Sequence, residues 1–191
     1  MSFFSALRVV MAAVSGFLAV GWAFSSVAEG DLKPVLPLTE ITFASIDGGT
    51  LPLGDWLGRP VLVVNTASQC AFTRQYSDLQ ALYDRYRARG LVVLAVPSDD
   101  FRQELGTEAE VKEFCELNYD LDLPMSEITH VVGPAAHPFY QQVAQVSGFE
   151  PRWNFNKILI GPRGDVIATY GATLRPTARK LTRAVEAALT Q

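Results

Sequence analysis

Cys70 and Cys115 are the two cysteines of the chain. Their separation fits neither a CxxC pair nor a zinc pattern, and two cysteines are too few for a disulfide scaffold, so they form a redox pair or remain two inert thiols. Cys70 is the candidate nucleophile because of the stretch around it. In VLVVNTASQCAFTRQY, residues 61–76, an apolar run rich in Val ends in a short polar loop, the loop delivers the cysteine, and a helical pattern follows at once. The first backbone N–H groups of a helix are unpaired and carry the positive end of its dipole, an environment that favours a thiolate over a thiol.

The elements that must hold this corner can be read outward from it. After Gly58-Arg59-Pro60, residues 61–64 are β-branched and unalternating, which predicts a central strand buried on both faces. Cys70 lies beyond its carboxyl end, where open α/β sheets place chemistry. Thr73 can cap the next helix, in which Tyr76, Leu79, Leu82, Tyr83 and Tyr86 recur at helical spacing until Gly90. Residues 91–96 predict a second buried strand, making a parallel βαβ unit whose loop at 98–101 emerges beside the Cys70 loop. Residues 108–118 predict a helix carrying a partly buried Cys115, and His137-Pro138 opens another. Residues 157–161 and 166–170 flank a Pro162-Arg163-Gly164-Asp165 turn as a hairpin, and 176–189 close the chain as an amphipathic helix. A small hairpin at 39–45 and 50–53, turning at Asp47-Gly48-Gly49, precedes all of this. The summed order is an α/β, thioredoxin-like fold with an N-terminal β-hairpin and an inserted helix.

Composition sets the class and the compartment. The chain has 191 residues, 49% hydrophobic and 19% charged, which suits one globular domain. A net charge of -4 argues against a nucleic-acid partner, which clustered Lys and Arg would serve. One basic residue, Arg8, precedes an apolar run at 9–24, and Ser26-Val27-Ala28 ends in small residues suited to processing. Residues 1–28 therefore read as a signal peptide, 29–37 as a linker and 38–191 as the domain, with an uncleaved membrane anchor as the alternative. Export places the protein in the periplasm or outside the cell, where a disulfide can persist. No metal or cofactor is expected, since His130 and His137 have no ligand spacing around them. A short link at 146–153 leaves little material for an oligomerisation loop, so a monomer is expected.

The ordered segments NTASQCAFT, LQALYDRY, RGLVVLAVPSDDF, FCELNYDLDLP, AHPFY and WNFNKILIGPRGDV resemble the glutathione peroxidase family. The resemblance implies a thioredoxin fold that reduces hydroperoxides with a cysteine or selenocysteine assisted by Gln, Trp and Asn. Position by position it makes Cys70 the peroxidatic residue and Trp153 and Asn154 the Trp and Asn. Indole and amide N–H groups are donors that do not ionise, suited to the leaving oxygen of a peroxide. Their plainer alternatives are a core aromatic and a turn residue. Cys115, in FCELNY, corresponds to the resolving cysteine of thioredoxin-dependent members, and a thiol there can condense with a Cys70 sulfenic acid. The alternative is a buried helical cysteine that never reacts.

Three departures qualify the resemblance. Asp100 stands where the family has its Gln, and an ionised carboxylate facing Cys70 would disfavour the thiolate. One residue is also missing between Phe101 and Gly106. Gln69 stands where many members carry Lys, and Ala71 and Arg74 replace a usual Gly and Pro. The reading is a thiol peroxidase acting on hydrogen peroxide or organic hydroperoxides, with a thioredoxin-like protein or glutathione as reductant and the resolving cysteine favouring the former. Two rivals share the fold: a peroxide sensor or thiol-disulfide oxidant of partner proteins, and a binding module that has lost catalysis.

Overall fold

The computed structural model describes residues 35–191; the expected signal peptide and most of the linker lie outside the described residues. A four-stranded sheet organises the domain, in the order β4 (Val92–Pro97), β3 (Val61–Thr66), β5 (Lys157–Ile160), β6 (Val166–Tyr170). At its centre β3 (Val61–Thr66) has all six residues buried. Successive side chains of a strand leave on opposite faces. Leu62 and Val64 accordingly enter one apolar cluster with Leu79, Val111 and Val185, while Val61 and Val63 enter another with Phe43, Phe139 and Val143. This two-sided burial is why the run does not alternate in sequence.

β3 pairs in parallel with β4 (Val92–Pro97), with Val63 opposite Leu94, and antiparallel with β5 (Lys157–Ile160), with Val64 opposite Lys157. β6 (Val166–Tyr170) pairs with β5 as the outer strand of a hairpin. Between β3 and β4 runs α1 (Gln75–Tyr86), which buries Tyr76, Leu79, Leu82 and Tyr86 before a 3-10 turn and Gly90, at φ 107, end it. α2 (Glu108–Tyr119) opens on a side-chain N-cap: the Thr107 hydroxyl accepts from Glu110 N at 3.3 Å and donates to the Glu110 carboxylate at 3.0 Å. α3 (Pro138–Ser147) starts with Pro in its first turn and His137 as its cap, and α4 (Arg179–Ala188) buries Leu181 and Val185. The N-terminal hairpin is shorter than its sequence suggests. β1 (Thr42–Ala44) and β2 (Thr50–Pro52) are three residues each, and Thr39 and Glu40, expected in the first strand, belong to a 3-10 turn, Leu38–Glu40.

These elements make the thioredoxin-like arrangement expected from the sequence, with the hairpin in front and α3 inserted between β4 and β5. Among the described residues no helix is long and apolar enough to cross a membrane. The loops after β3 and β4 leave from the same end of the sheet, because those strands are parallel. There the candidate chemistry collects.

Candidate active site

β3 ends at Thr66, and the chain uses eight residues, 67–74, to turn into α1. Thr73 organises that turn. Its Oγ1 accepts the Cys70 N–H at 3.0 Å and lies 3.0 Å from the Ala67 carbonyl and 2.5 Å from the Cys70 carbonyl. It therefore does not cap α1, as its position suggested. Arg74 occupies that place with no side-chain bond, and the helix begins at Gln75. The hydroxyl is consumed by the loop that holds the cysteine. Cys70 is 7% exposed, and the Phe72 N–H is directed at its Sγ from 3.5 Å, a donor that an anionic sulfur accepts.

The loop after β4 fastens this turn from the side. Gln69 N donates to the Gln103 carbonyl at 2.9 Å, and Ser68 N donates to Glu104 Oε1 at 2.9 Å. Glu104 N in turn donates to Asp99 Oδ1. Arg102 adopts φ 56, a left-handed conformation in a non-glycine residue, which lets the shortened loop turn and present residues 103 and 104 inward. Burial pushes the Glu104 carboxyl up, while the Ser68 and Leu105 donors resist the shift.

Asp100 does not face the sulfur with an unpaired carboxylate. Its oxygens accept from Val131 N at 2.6 Å and Val132 N at 3.1 Å, and lie 2.7 Å from His130 Nδ1. Partial burial alone would raise its pKa, but those donors outweigh it and hold the carboxyl below the usual range. The handicap that its charge suggested for Cys70 is thereby met by three donors from another segment. Asp100 ties the β4 loop to residues 130–132.

Trp153 and Asn154 are placed by β3 itself. Asn65 Nδ2 donates to the Trp153 carbonyl at 2.9 Å, Asn65 Oδ1 accepts from Asn156 N, and Phe155 N donates to the Asn65 carbonyl at 2.6 Å. The turn so fixed puts fully buried Phe155 at φ 60, strain that an aromatic residue tolerates only where its surroundings hold it. Trp153 remains 41% exposed, its ring 5.6 Å from that of Phe101. Asn154 is fully buried, and its Nδ2 donates to Gln103 Oε1 at 3.1 Å. Asn154 thus reaches the loop that grips Gln69, the residue before Cys70.

Cys115 lies in the same apolar cluster as Cys70, on α2. At 1% exposure it is more deeply buried than the sequence suggested. Burial pushes its thiol up to about 12, with the Tyr76 hydroxyl offsetting part of the shift. Both cysteines are free thiols.

Four supporting residues were not picked out from the sequence: Asn65, Gln103, Glu104 and Lys157. Lys157 is buried on β5, where its Nζ donates to Gln75 Oε1 at 2.6 Å and the Leu174 carbonyl at 2.7 Å. It clamps the first turn of α1, just after the cysteine loop, and burial lowers its pKa to about 7. A lysine opening a strand gives no such signal, whereas the polar pair Asn65-Thr66 ending an apolar strand could have flagged Asn65. Among the described residues no group of three His, Cys, Asp or Glu is placed to hold a metal.

Comparison with known proteins gives a consistent result. The family model for glutathione peroxidase matches residues 38–144, which include Cys70, Asp100 and Cys115. The hydroperoxy fatty acid reductase gpx1 of Synechocystis is 41% identical over 143 residues, 69% of this chain and 85% of that protein. The glutathione peroxidase-like peroxiredoxin gpx1 of Schizosaccharomyces pombe is 39% identical over 135 residues, covering 68% and 85%. Among solved structures, Trgpx in its apo form superposes with a TM-score of 0.64 at 28% identity over 81% of this chain and 96% of that one. A thiol:disulfide interchange protein from Chlorobium tepidum, at 15% identity and a TM-score of 0.59 over 78% and 92% of the two chains, shares the fold alone.

Proposed function

Because this chain belongs to the glutathione peroxidase family and is a peroxidase, we propose that it reduces hydroperoxides through Cys70 and is recycled through a Cys70–Cys115 disulfide by a thioredoxin-like dithiol. The observation that carries the reading is the Cys70 corner. A cysteine loop closed by Thr73 directs an amide donor at the sulfur, and Asn154 lies one hydrogen bond from the loop that braces it.

The Cys70 thiolate attacks one peroxide oxygen, an S–O bond forms as the O–O bond breaks, and the departing oxygen leaves as water or an alcohol once it gains a proton. Trp153 and Asn154 supply N–H donors as negative charge develops on that oxygen. Sulfur is oxidised to a sulfenic acid. The Cys115 sulfur then attacks it, the S–S bond forms, and the sulfenic oxygen departs as water. A dithiol reopens the disulfide by two exchanges and leaves oxidised itself. The glutathione peroxidase-like peroxiredoxins among the relatives support such a thiol cycle, and the hydroperoxy fatty acid reductase supports organic hydroperoxides as substrates.

The buried position of Cys115 sets a requirement. A disulfide needs Cβ atoms about 3.8 Å apart, and the proposed cycle brings the two free thiols to that separation by local unwinding of the second half of α2, which holds Cys115. That half ends at Asp120, a non-glycine residue at φ 51. The leader-like residues 1–28 support export, with the mature chain beginning after Ala28.

Mass spectrometry of reduced protein treated with one equivalent of hydrogen peroxide tests the cycle. The expected product is a Cys70–Cys115 disulfide in the wild type and a Cys70 sulfenic acid in Cys115→Ser, which loses thioredoxin-supported turnover. Intact thiols in the wild type, or sustained turnover by Cys115→Ser, would overturn it.

A further inference from the structure

The peroxide step needs an N–H aimed at the departing oxygen, and Asn154 can supply one only if its amide is held in a fixed orientation. We propose that Gln103 is the positioning residue that sets Asn154 for this step, a role resting on the peroxidase reading above. The position where a family member would carry an amide holds Asp100, and Asp100 cannot substitute. An ionised carboxylate has no proton to donate, and both its oxygens are occupied by His130, Val131 and Val132. Three residues later the chain carries a neutral amide, Gln103, that is bonded to Asn154.

Gln103 is joined to both halves of the site. Its backbone carbonyl accepts from Gln69 N at 2.9 Å, next to the nucleophile, and its side-chain Oε1 accepts from Asn154 Nδ2 at 3.1 Å. Asn154 is fully buried, and its Oδ1 has no hydrogen-bond partner among the described residues. Among the described residues Gln103 is therefore the one side chain bonded to the Asn154 amide, and the contact that holds it in place. Of the two N–H bonds on Asn154 Nδ2, one is spent on Gln103, and the proposed role gives the other to a peroxide that enters beside this buried side chain. Arg102 at φ 56 and the Ser68-to-Glu104 bond hold Gln103 in register, so the contact belongs to the loop's architecture.

Substitutions of Gln103 separate positioning from simple support. Gln103→Leu keeps the size and removes the acceptor, whereas Gln103→Glu keeps an acceptor for Asn154. The readouts are the second-order rates of Cys70 with hydrogen peroxide and with iodoacetamide, since alkylation requires the thiolate but no proton for a leaving oxygen. Gln103→Leu is expected to slow the peroxide reaction between about 10- and 100-fold, below the full loss for deleting an oxyanion donor, with alkylation unchanged within about twofold. Gln103→Glu should lose distinctly less. In an Asn154→Ala background, Gln103→Leu should cost nothing further, because residues acting as one unit are non-additive.

Parallel loss of alkylation, an undiminished Gln103→Leu effect in Asn154→Ala, or a Glu variant as slow as the Leu variant would each overturn the inference. If Asn154→Ala does not fold, the comparison of Leu with Glu still decides. A wild type whose Cys70 resists peroxide overturns the peroxidase cycle and this inference together, whereas a reactive wild type indifferent to Gln103 overturns this inference alone.

Discussion

Cys70 and Cys115 pack into one apolar cluster, at 7% and 1% exposure, yet the backbone around them differs completely. Cys70 sits in a turn whose amide groups are not committed to a helix ladder, so the Phe72 N–H can meet its sulfur and Thr73 can hold its own N–H. Cys115 sits inside α2, where backbone N–H groups are spent on carbonyls one turn back. Its sulfur meets Tyr76 and apolar side chains, and desolvation dominates. Both thiols are buried; what differs is the donor each sulfur meets, a turn amide at Cys70 and the Tyr76 hydroxyl, outweighed by desolvation, at Cys115.

Alkylation should show the largest contrast. In the reduced, folded protein at pH 8, iodoacetamide is expected to label Cys70 more than about 100-fold faster than Cys115, whose thiolate is almost absent with a pKa of about 12. The difference should vanish in denaturant, where both thiols are ordinary. Equal labelling of the folded protein, followed by peptide mass spectrometry, would break the comparison.

A second effect follows from the same burial and appears in stability. The folded Cys115 thiol titrates near 12, above the ~8.5 of an unfolded chain, so in that window the unfolded state has lost a proton that the folded state keeps. Stability from this group is full below pH ~8.5 and falls as pH rises toward 12. Between pH 7 and pH 10 the loss is about 2 kcal/mol. Urea unfolding at both pH values should show a steeper decline for the wild type than for Cys115→Ala. The raised Tyr140 hydroxyl is common to both proteins and cancels, whereas Tyr76, raised mainly by burial and in part by Cys115, adds to the difference in the same direction. Identical declines would mean that Cys115 is solvated in the folded state.

Much of this contrast was legible in the sequence. The unalternating run at 61–64, the polar loop and the helical spacing from Tyr76 placed Cys70 at a corner, and the spacing of Val111, Phe114 and Cys115 placed the second cysteine on a helix. Those readings rest on periodicity, which backbone geometry enforces. Side-chain direction in irregular loops has no period. Asp100 turns to Val131 and Val132 because a segment 31 residues away offers it amides, and Gln103 turns inward because Arg102 takes a left-handed conformation. Neither can be counted from a spacing. The Asn65 grip on the Trp153 turn also joins residues 88 apart, and the sequence shows only an asparagine near the end of an apolar strand.

The smallest of the three effects concerns the loop that makes Cys70 different. Thr73→Val preserves the branched shape but removes the acceptor for the buried Cys70 N–H, whereas Thr73→Ser keeps it. An unsatisfied buried donor costs about 1 kcal/mol at the low end of its range, and the turn has room to relax because its other fastenings, at Ser68 and Gln69, remain. Thr73→Val is therefore expected to lose about 1 kcal/mol in urea unfolding and to slow the reaction of Cys70 with peroxide a fewfold, roughly the factor that such an energy represents. Thr73→Ser should stay near wild type in both. Cys115, whose backbone is held by α2 and not by this hydroxyl, should keep its slow alkylation unchanged. If Thr73→Val left Cys70 untouched, or altered Cys115 to the same degree, the turn would not be what separates the two thiols, and the Phe72 amide would have to account for the difference alone.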